Sequence, residues 1–178
     1  MGLESVELVM AFEEAFEIDI PDAVASGMIT PRQTIDYVAS RLATVPAGRC
    51  LTQQIFYRLR RGLRAESGAG HAFRPATKVR EIAEKREWPG LWTRVREAAG
   101  APGWPDRIPR KGWLIDGPET LRELTVHIAM HLPSPDVGRG ESWTRERIEL
   151  TVRRTVWDSL RVKGFALDDQ YVRDMGVD

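Results

Sequence analysis

The side chains best placed to bind a metal ion are two histidines on one predicted helix. His127 and His131 lie four residues apart, a spacing that can bring two imidazoles to one metal ion. No third ligand is close in sequence, and Ile128 and Leu132 mark the buried face of the helix. We therefore interpret both histidines as partly exposed helix residues and predict no metal site.

The sequence also lacks the patterns that support catalysis. It contains no Gly-x-Ser-x-Gly motif, phosphate-binding loop or dinucleotide fingerprint. The adjacent carboxylates Asp168 and Asp169 are typical of a helix start or a solvated surface rather than of an acid/base pair. Because no residue stands out as a nucleophile, we predict no catalytic residues and a protein that is not an enzyme.

Arginines and tryptophans in the middle of the chain allow a nucleic-acid interpretation, because cations contact phosphates and aromatic rings stack on bases. The residues concerned are Arg58, Arg60, Arg61, Arg64, Trp88, Trp92, Trp104 and Trp113. Interspersed glutamates such as Glu66 and Glu81 dilute the positive field. We favour a solvated arginine face over a tryptophan-containing core and keep nucleic-acid binding as an alternative.

Charge and composition indicate the compartment and the number of units. The formal net charge is zero, but residues 1–45 carry about −6 and residues 46–135 about +7, which separates an acidic unit from a basic one. Cys50 is the only cysteine, is interpreted as a small buried side chain, and fits a reducing cytosol. With no apolar run long enough to span a bilayer, the sequence predicts a cytoplasmic protein without a membrane partner.

The acidic unit begins with a predicted helix from Leu3 to about Ile20, which Pro21 ends. Its apolar residues fall at three- and four-residue steps and predict a buried stripe of Leu3, Val6, Val9, Phe12 and Phe16. A second helix starts at Thr30 and Pro31, with Gln33 as the capping-box partner.

These two helices resemble parts of the acyl carrier protein (phosphopantetheine-binding) family. SVELVMAFEEAFEIDIPD is similar to carrier helix II, and TPRQTIDYVASRL is similar to the last carrier helix. Carrier helix II begins Asp-Ser-Leu, and its serine holds the phosphopantetheine arm. Here those positions read Met1, Gly2 and Leu3, while Ser5 matches an ordinary residue inside the helix. The resemblance implies a carrier without its cofactor; an active carrier with an unrecognised attachment site is the alternative.

The tail of the chain extends this resemblance. WTRERIELTVRRTVWDSL predicts a helix capped by Thr144, and FALDDQYVRDMGVD resembles the carrier segment that leads to the modified serine. Written tail to head, residues 1–45 plus 142–178 resemble one circularly permuted carrier domain, an all-α four-helix bundle completed by the C-terminal helix. A domain-swapped homodimer would satisfy the same apolar faces, so both arrangements stay open.

Residues 50–133 are interpreted as an inserted, basic and degenerate carrier-like helical domain. Its first predicted helix follows a Thr52 cap and buries Ile55, Phe56, Leu59 and Leu63, and residues 118–132 resemble a carrier's last helix. Residues 88–117 have no carrier counterpart.

The carrier resemblance also implies protein partners, namely carrier-dependent enzymes of acyl, polyketide or peptide synthesis. Carrier helix II normally docks on basic patches of such enzymes, so we expect a non-catalytic docking or regulatory module. The candidate partner-binding residues are Glu4, Glu7, Glu13 and Glu14 of the first helix, with Arg58 and Arg61 of the middle. The arginines could instead press against those glutamates and shield them.

Overall fold

The computed structural model describes residues 2–46, 48, 50–68, 70–109, 117–162 and 164–177. Across these residues the chain is helical and forms two isolated β-bridges but no strand, which confirms the all-α prediction. The helices are α1 (Leu3–Phe16), α2 (Asp22–Ala25), α3 (Pro31–Arg41), α4 (Leu51–Ser67), α5 (Trp88–Ala98), α6 (Leu121–Met130), α7 (Arg145–Leu160) and α8 (Tyr171–Met175). None of these helices is long and apolar enough to cross a membrane.

The chain divides into two compact units. Met1–Gly48 and Ser134–Asp178 together form what we call the terminal unit, and Arg49–Pro133 forms the middle unit. That either unit is a carrier domain stays a prediction. Trp113 lies outside the described residues.

In the terminal unit, both ends of the chain contribute to one hydrophobic core. α1 and α3 each pack against α7. The core includes Leu8, Phe12, Phe16, Ile35 and Val38 from the first segment and Ile148, Val152, Val156, Tyr171 and Met175 from the tail. The tail therefore completes the first segment within the same chain, and an exchange of tails between two chains stays a prediction.

Local sequence signals account for the starts of α3 and α7. The Thr30 side chain accepts a hydrogen bond from the Gln33 N–H, and the Gln33 side chain accepts from the Thr30 N–H, so the predicted capping box is present. Thr144 caps α7 in the predicted way, by accepting from the Arg147 N–H.

The middle unit is built around α4, which packs against α5 and α6. α4 buries Ile55, Leu59 and Leu63, as predicted, whereas Phe56 is only half-buried. Gly62 lies where the two backbones approach closely, because a Cβ built there would come 2.5 Å from the Val95 carbonyl oxygen. The missing side chain therefore allows α4 and α5 to pack at this distance.

Two predictions at the start of α4 are wrong. The N-cap position is occupied by Cys50 rather than Thr52, and no side chain caps the helix there. Cys50 is also exposed instead of buried, and its Sγ lies 3.0 Å from the Thr52 Oγ1. The prediction relied on the general preference of cysteine for the protein interior. The residue that precedes α4 faces solvent, and this preference does not take its position into account.

Candidate docking surface

The first helix presents two different faces. Leu8, Phe12 and Phe16 lie at four-residue steps and are buried in the core of the terminal unit. On the opposite side, Leu3 and Met10 are 75% and 60% exposed. α1 is thus apolar on its inner face and, unusually, also apolar in part on its outer face.

The predicted buried stripe is wrong at its first two positions, since Leu3 and Val6 are exposed. At about 100° per residue, Leu3, Glu7, Met10 and Glu14 follow one line along the helix, with Val6 beside it. We call Leu3, Val6, Glu7, Met10 and Glu14 the α1 outer face. This line lies on the side of α1 opposite the buried residues Leu8 and Phe12.

Carboxylates surround the exposed apolar side chains of this face. Glu4, Glu7 and Glu14 are exposed, and none of them forms an ion pair with any described residue. Their negative charge is therefore not neutralised by a neighbouring side chain in the described parts of the chain. A surface that combines free carboxylates with exposed Leu, Val and Met side chains suits a partner that is basic and partly apolar.

Glu13 differs from the other candidate glutamates. It is half-buried, and its Oε1 accepts a hydrogen bond of 2.7 Å from the Ile20 N–H. This bond holds the turn that follows α1, where Glu17 adopts a left-handed conformation with φ of 54°. We therefore assign Glu13 a role in the structure of the turn and place it outside the α1 outer face.

The two candidate arginines of α4 also differ. The Arg58 guanidinium donates to the carbonyl oxygens of Ala99 and Gly100 at the end of α5 and lies 6.0 Å from the centre of the Trp104 ring. A cation at a helix C-terminus stabilises carbonyls that have no partner within the helix. Both arginines are exposed, but Arg58 links α4 to α5 through these contacts.

Three of the four tryptophans considered for base stacking are buried. Trp88, Trp92 and Trp104 are at most 4% exposed, and their rings stack in sequence at centre-to-centre distances of 6.0 and 5.9 Å. The Trp92 Nε1–H donates to the Pro105 carbonyl oxygen at 2.9 Å. These three rings belong to the core of the middle unit, as we favoured, and this weakens the nucleic-acid alternative.

The histidine pair and the adjacent aspartates have contacts of their own. The rings of His127 and His131 lie 4.1 Å apart, and the Nδ1 of His131 lies 2.8 Å from the His127 carbonyl oxygen. Within the described ranges no three metal-ligating side chains come together. Asp168 pairs with Arg32, and the Asp169 carboxylate accepts from the Ala166 N–H, so neither aspartate is placed as an acid/base partner of the other.

Contacts between the tail and the first segment hold the terminal unit together. Arg32 donates two hydrogen bonds to the Asp168 carboxylate, at 2.5 and 2.8 Å, and this hydrogen bonding lowers the pKa of Asp168 and raises the pKa of Arg32. The Tyr171 hydroxyl lies 2.9 Å from the Thr34 Oγ1 in the interior, and burial raises the pKa of Tyr171.

A phosphopantetheine arm does not fit the residues at the start of α1. The arm is attached through a hydroxyl oxygen, and Gly2, at the N-cap position, has no side chain to supply one. Ser5 lies inside α1 and is half-buried, so it does not take the place of a serine ahead of the helix. No chemical step is therefore assigned to the arm.

No family model matches the chain, and no solved structure matches it at a significant level. The sequence analysis did not predict two exposed side chains, Met10 of α1 and Tyr57 of α4, which are 60% and 50% exposed. A helical projection centred on Leu8 for α1 and on Leu59 for α4 places each of them on the outer side of its helix.

Proposed function

We propose that this protein is a non-catalytic, acyl-carrier-like docking module without a phosphopantetheine arm. The α1 outer face, together with Glu4, binds a basic surface on enzymes of acyl, polyketide or peptide synthesis. One observation carries the proposal: an exposed helix face on which Leu3 and Met10 alternate with Glu7 and Glu14, whose carboxylates form no ion pair with a described residue. The class of partner comes from the carrier resemblance.

The order of elements in the terminal unit supports the carrier-like part of the proposal. Read from the tail to the head, it runs through the long helix α7, the short α8, then α1, the short α2 and α3. This is the order that a permuted carrier would have if the break lay at the modified serine. The shared core of the two segments allows the pieces to act as one bundle.

Binding would combine steering with burial of apolar surface. Carboxylates on one side of the unit attract a cationic partner before contact, and this attraction weakens as salt screens it. Once in contact, Leu3, Val6 and Met10 would lose their exposure to water, which stabilises the complex in proportion to the apolar area covered. No step requires a covalent intermediate.

The experiment that tests this proposal compares capture of partners by the unaltered protein and by the double variant Glu7→Lys, Glu14→Lys. Mass spectrometry should identify carrier-dependent enzymes bound to the first and not to the second, because reversed charges repel a basic surface. The matched control is Glu81→Lys, Glu97→Lys, which makes the same change in net charge at exposed positions of the middle unit.

Equal capture of such enzymes by the unaltered protein and by the Glu7→Lys, Glu14→Lys variant would contradict the assignment of the α1 outer face. Capture of unrelated proteins only would contradict the proposed class of partner. A separate incubation with coenzyme A and a phosphopantetheinyl transferase should add no mass. A gain of one phosphopantetheinyl group would instead favour an active carrier.

A further inference from the structure

The two units carry equal and opposite charge. The terminal unit contains 10 basic and 17 acidic side chains, a net charge of −7, and the middle unit contains 16 basic and 9 acidic side chains, a net charge of +7. A neutral chain with such separated charges is complementary to other copies of itself, and proteins near zero net charge lack the mutual repulsion that keeps molecules apart.

Three of the sixteen basic side chains of the middle unit lie together on the exposed side of α4. Tyr57, Arg61 and Arg64 follow one line along this helix, on the side opposite the buried Leu59. Arg60 lies beside them, with its guanidinium 5.1 Å from the centre of the Tyr57 ring and 6.0 Å from that of Phe56. We call Tyr57, Arg60, Arg61 and Arg64 the α4 outer face.

The α1 and α4 outer faces match in spacing and in chemistry. On α4 the steps from Tyr57 to Arg61 and to Arg64 are four and three residues, and on α1 the steps from Leu3 to Glu7 and to Met10 are the same. Each set covers about 10 Å of helix length. One face presents carboxylates with aliphatic side chains, and the other presents guanidinium groups with an aromatic ring.

We propose that the α1 outer face of one copy of this protein binds the α4 outer face of a second copy. In the register that aligns these steps, Leu3 covers the exposed ring of Tyr57, and Glu7 pairs with Arg61. Arg64 lies against Met10 and pairs with Glu14, about one helical turn further along α1. The contact is heterologous, because each copy uses a different surface, so it extends to further copies or closes into a ring. It involves exposed charges and is therefore weak and sensitive to salt.

Sedimentation velocity of the purified full-length protein tests this contact. At about 0.05 M salt the mean sedimentation coefficient should rise with protein concentration, and at about 0.5 M salt the apparent association should be weaker by about tenfold or more. The double variant Glu7→Lys, Glu14→Lys should stay monomeric at low salt. The double variant Arg61→Glu, Arg64→Glu should also stay monomeric under this condition. Circular dichroism checks that both remain helical.

An equimolar mixture of these two double variants provides the decisive experiment. The first variant keeps a basic α4 face and the second keeps an acidic α1 face, so the mixture should associate although neither variant does so alone. The Glu81→Lys, Glu97→Lys variant should associate like the unaltered protein. Association of this mixture and of the Glu81→Lys, Glu97→Lys variant, with none in either face variant alone, supports contact between the two named faces.

A monomer under all conditions, or association that neither reversal affects, would overturn the proposal. A salt-dependent change in the shape of a monomer would do so too, because it would place the contact within one chain. Binding of a single-stranded oligonucleotide through Arg61 and Arg64 without self-association would also overturn it. The test is distinguishable from that of the proposed enzyme docking, because it uses the purified protein alone, and a protein that stays monomeric could still bind enzymes through its α1 outer face.

Discussion

At the scale of single residues, Tyr171 contacts the first segment through its ring, its hydroxyl and its backbone. It is 6% exposed, its ring centre lies 6.2 Å from that of Phe12, and its hydroxyl lies 2.9 Å from the Thr34 Oγ1. Its backbone N–H donates to the Ile29 carbonyl oxygen. Ionisation of this phenol in the folded protein would leave a charge in the core, which is why its pKa is raised.

This raised pKa predicts a loss of stability in alkaline solution. In the unfolded chain the phenol ionises near pH 10, while in the folded chain it stays neutral at that pH. The free energy of unfolding should therefore keep the full contribution of Tyr171 below about pH 10 and lose it progressively as the pH rises above that value. Urea unfolding of Tyr171→Phe across this range should show a smaller alkaline loss than the unaltered protein.

At neutral pH, Tyr171→Phe should lower the free energy of unfolding by about 1 kcal/mol, because it removes one buried hydrogen bond. Thr34 keeps a contact with the Thr30 carbonyl oxygen, so the cost stays modest. The control is Tyr57→Phe, at a half-exposed position, which should change neither quantity. An alkaline loss as large in Tyr171→Phe as in the unaltered protein would show that this phenol is not its cause.

At the scale of helices, the close approach of α4 and α5 at Gly62 leads to a prediction with a matched control. A Cβ at Gly62 would meet the Val95 carbonyl oxygen at 2.5 Å and the Ala99 Cβ at 3.2 Å, whereas a Cβ at Gly90 would meet only the flexible end of Arg94, at 3.6 Å. Gly62→Ala should destabilise the protein by about 1–3 kcal/mol, because the helices must separate.

Gly90→Ala should instead leave stability unchanged or raise it by up to about 1 kcal/mol, because alanine is the better helix former. Chemical denaturation of both variants measures the difference. A similar gain in stability from both substitutions would mean that α4 and α5 do not touch at Gly62.

Elements with strong local signals could be predicted from the sequence, and the side of α1 that is buried could not. The caps of α3 and α7 are each defined by residues three apart, Thr30 with Gln33 and Thr144 with Arg147. α1 carries apolar residues around most of its circumference, so contact with α7 determines which of them become buried. The predicted phase of the stripe was wrong for this reason.

Part of the candidate site depended on contacts that are distant in sequence. The exposed Glu7, Glu14 and Arg61 could be proposed from residue type alone. The roles of Glu13 and Arg58 could not, because the hydrogen bond from Ile20 and the carbonyls at Ala99 and Gly100 lie 7 to 42 residues away. A charged side chain looks the same in a sequence whether it is directed to solvent or to a helix end.

At the scale of the whole molecule, the shared core of the terminal unit predicts that its two segments can fold without the middle unit. A rearranged chain that places 134–178 ahead of 1–48, joined by a short Gly-Ser linker, should unfold cooperatively in urea and sediment as a monomer at about 0.5 M salt. Residues 1–48 alone should stay unfolded, because so short a segment buries too little apolar surface.

A rearranged chain that folds only as a dimer would favour exchange of tails between copies. A rearranged chain that does not fold would show that the middle unit is needed for the stability of the terminal unit, contrary to the prediction.

The division of the terminal unit between the two ends of the chain also has a consequence for synthesis on the ribosome. At roughly 5–20 residues per second, translation of the 85 residues of Arg49–Pro133 takes about 4–17 s. During that time α1 has emerged but α7 has not been made, so Phe12 and Phe16 lack their partners while the middle unit can already fold. We therefore expect chaperones that recognise exposed apolar segments to bind the newborn first segment.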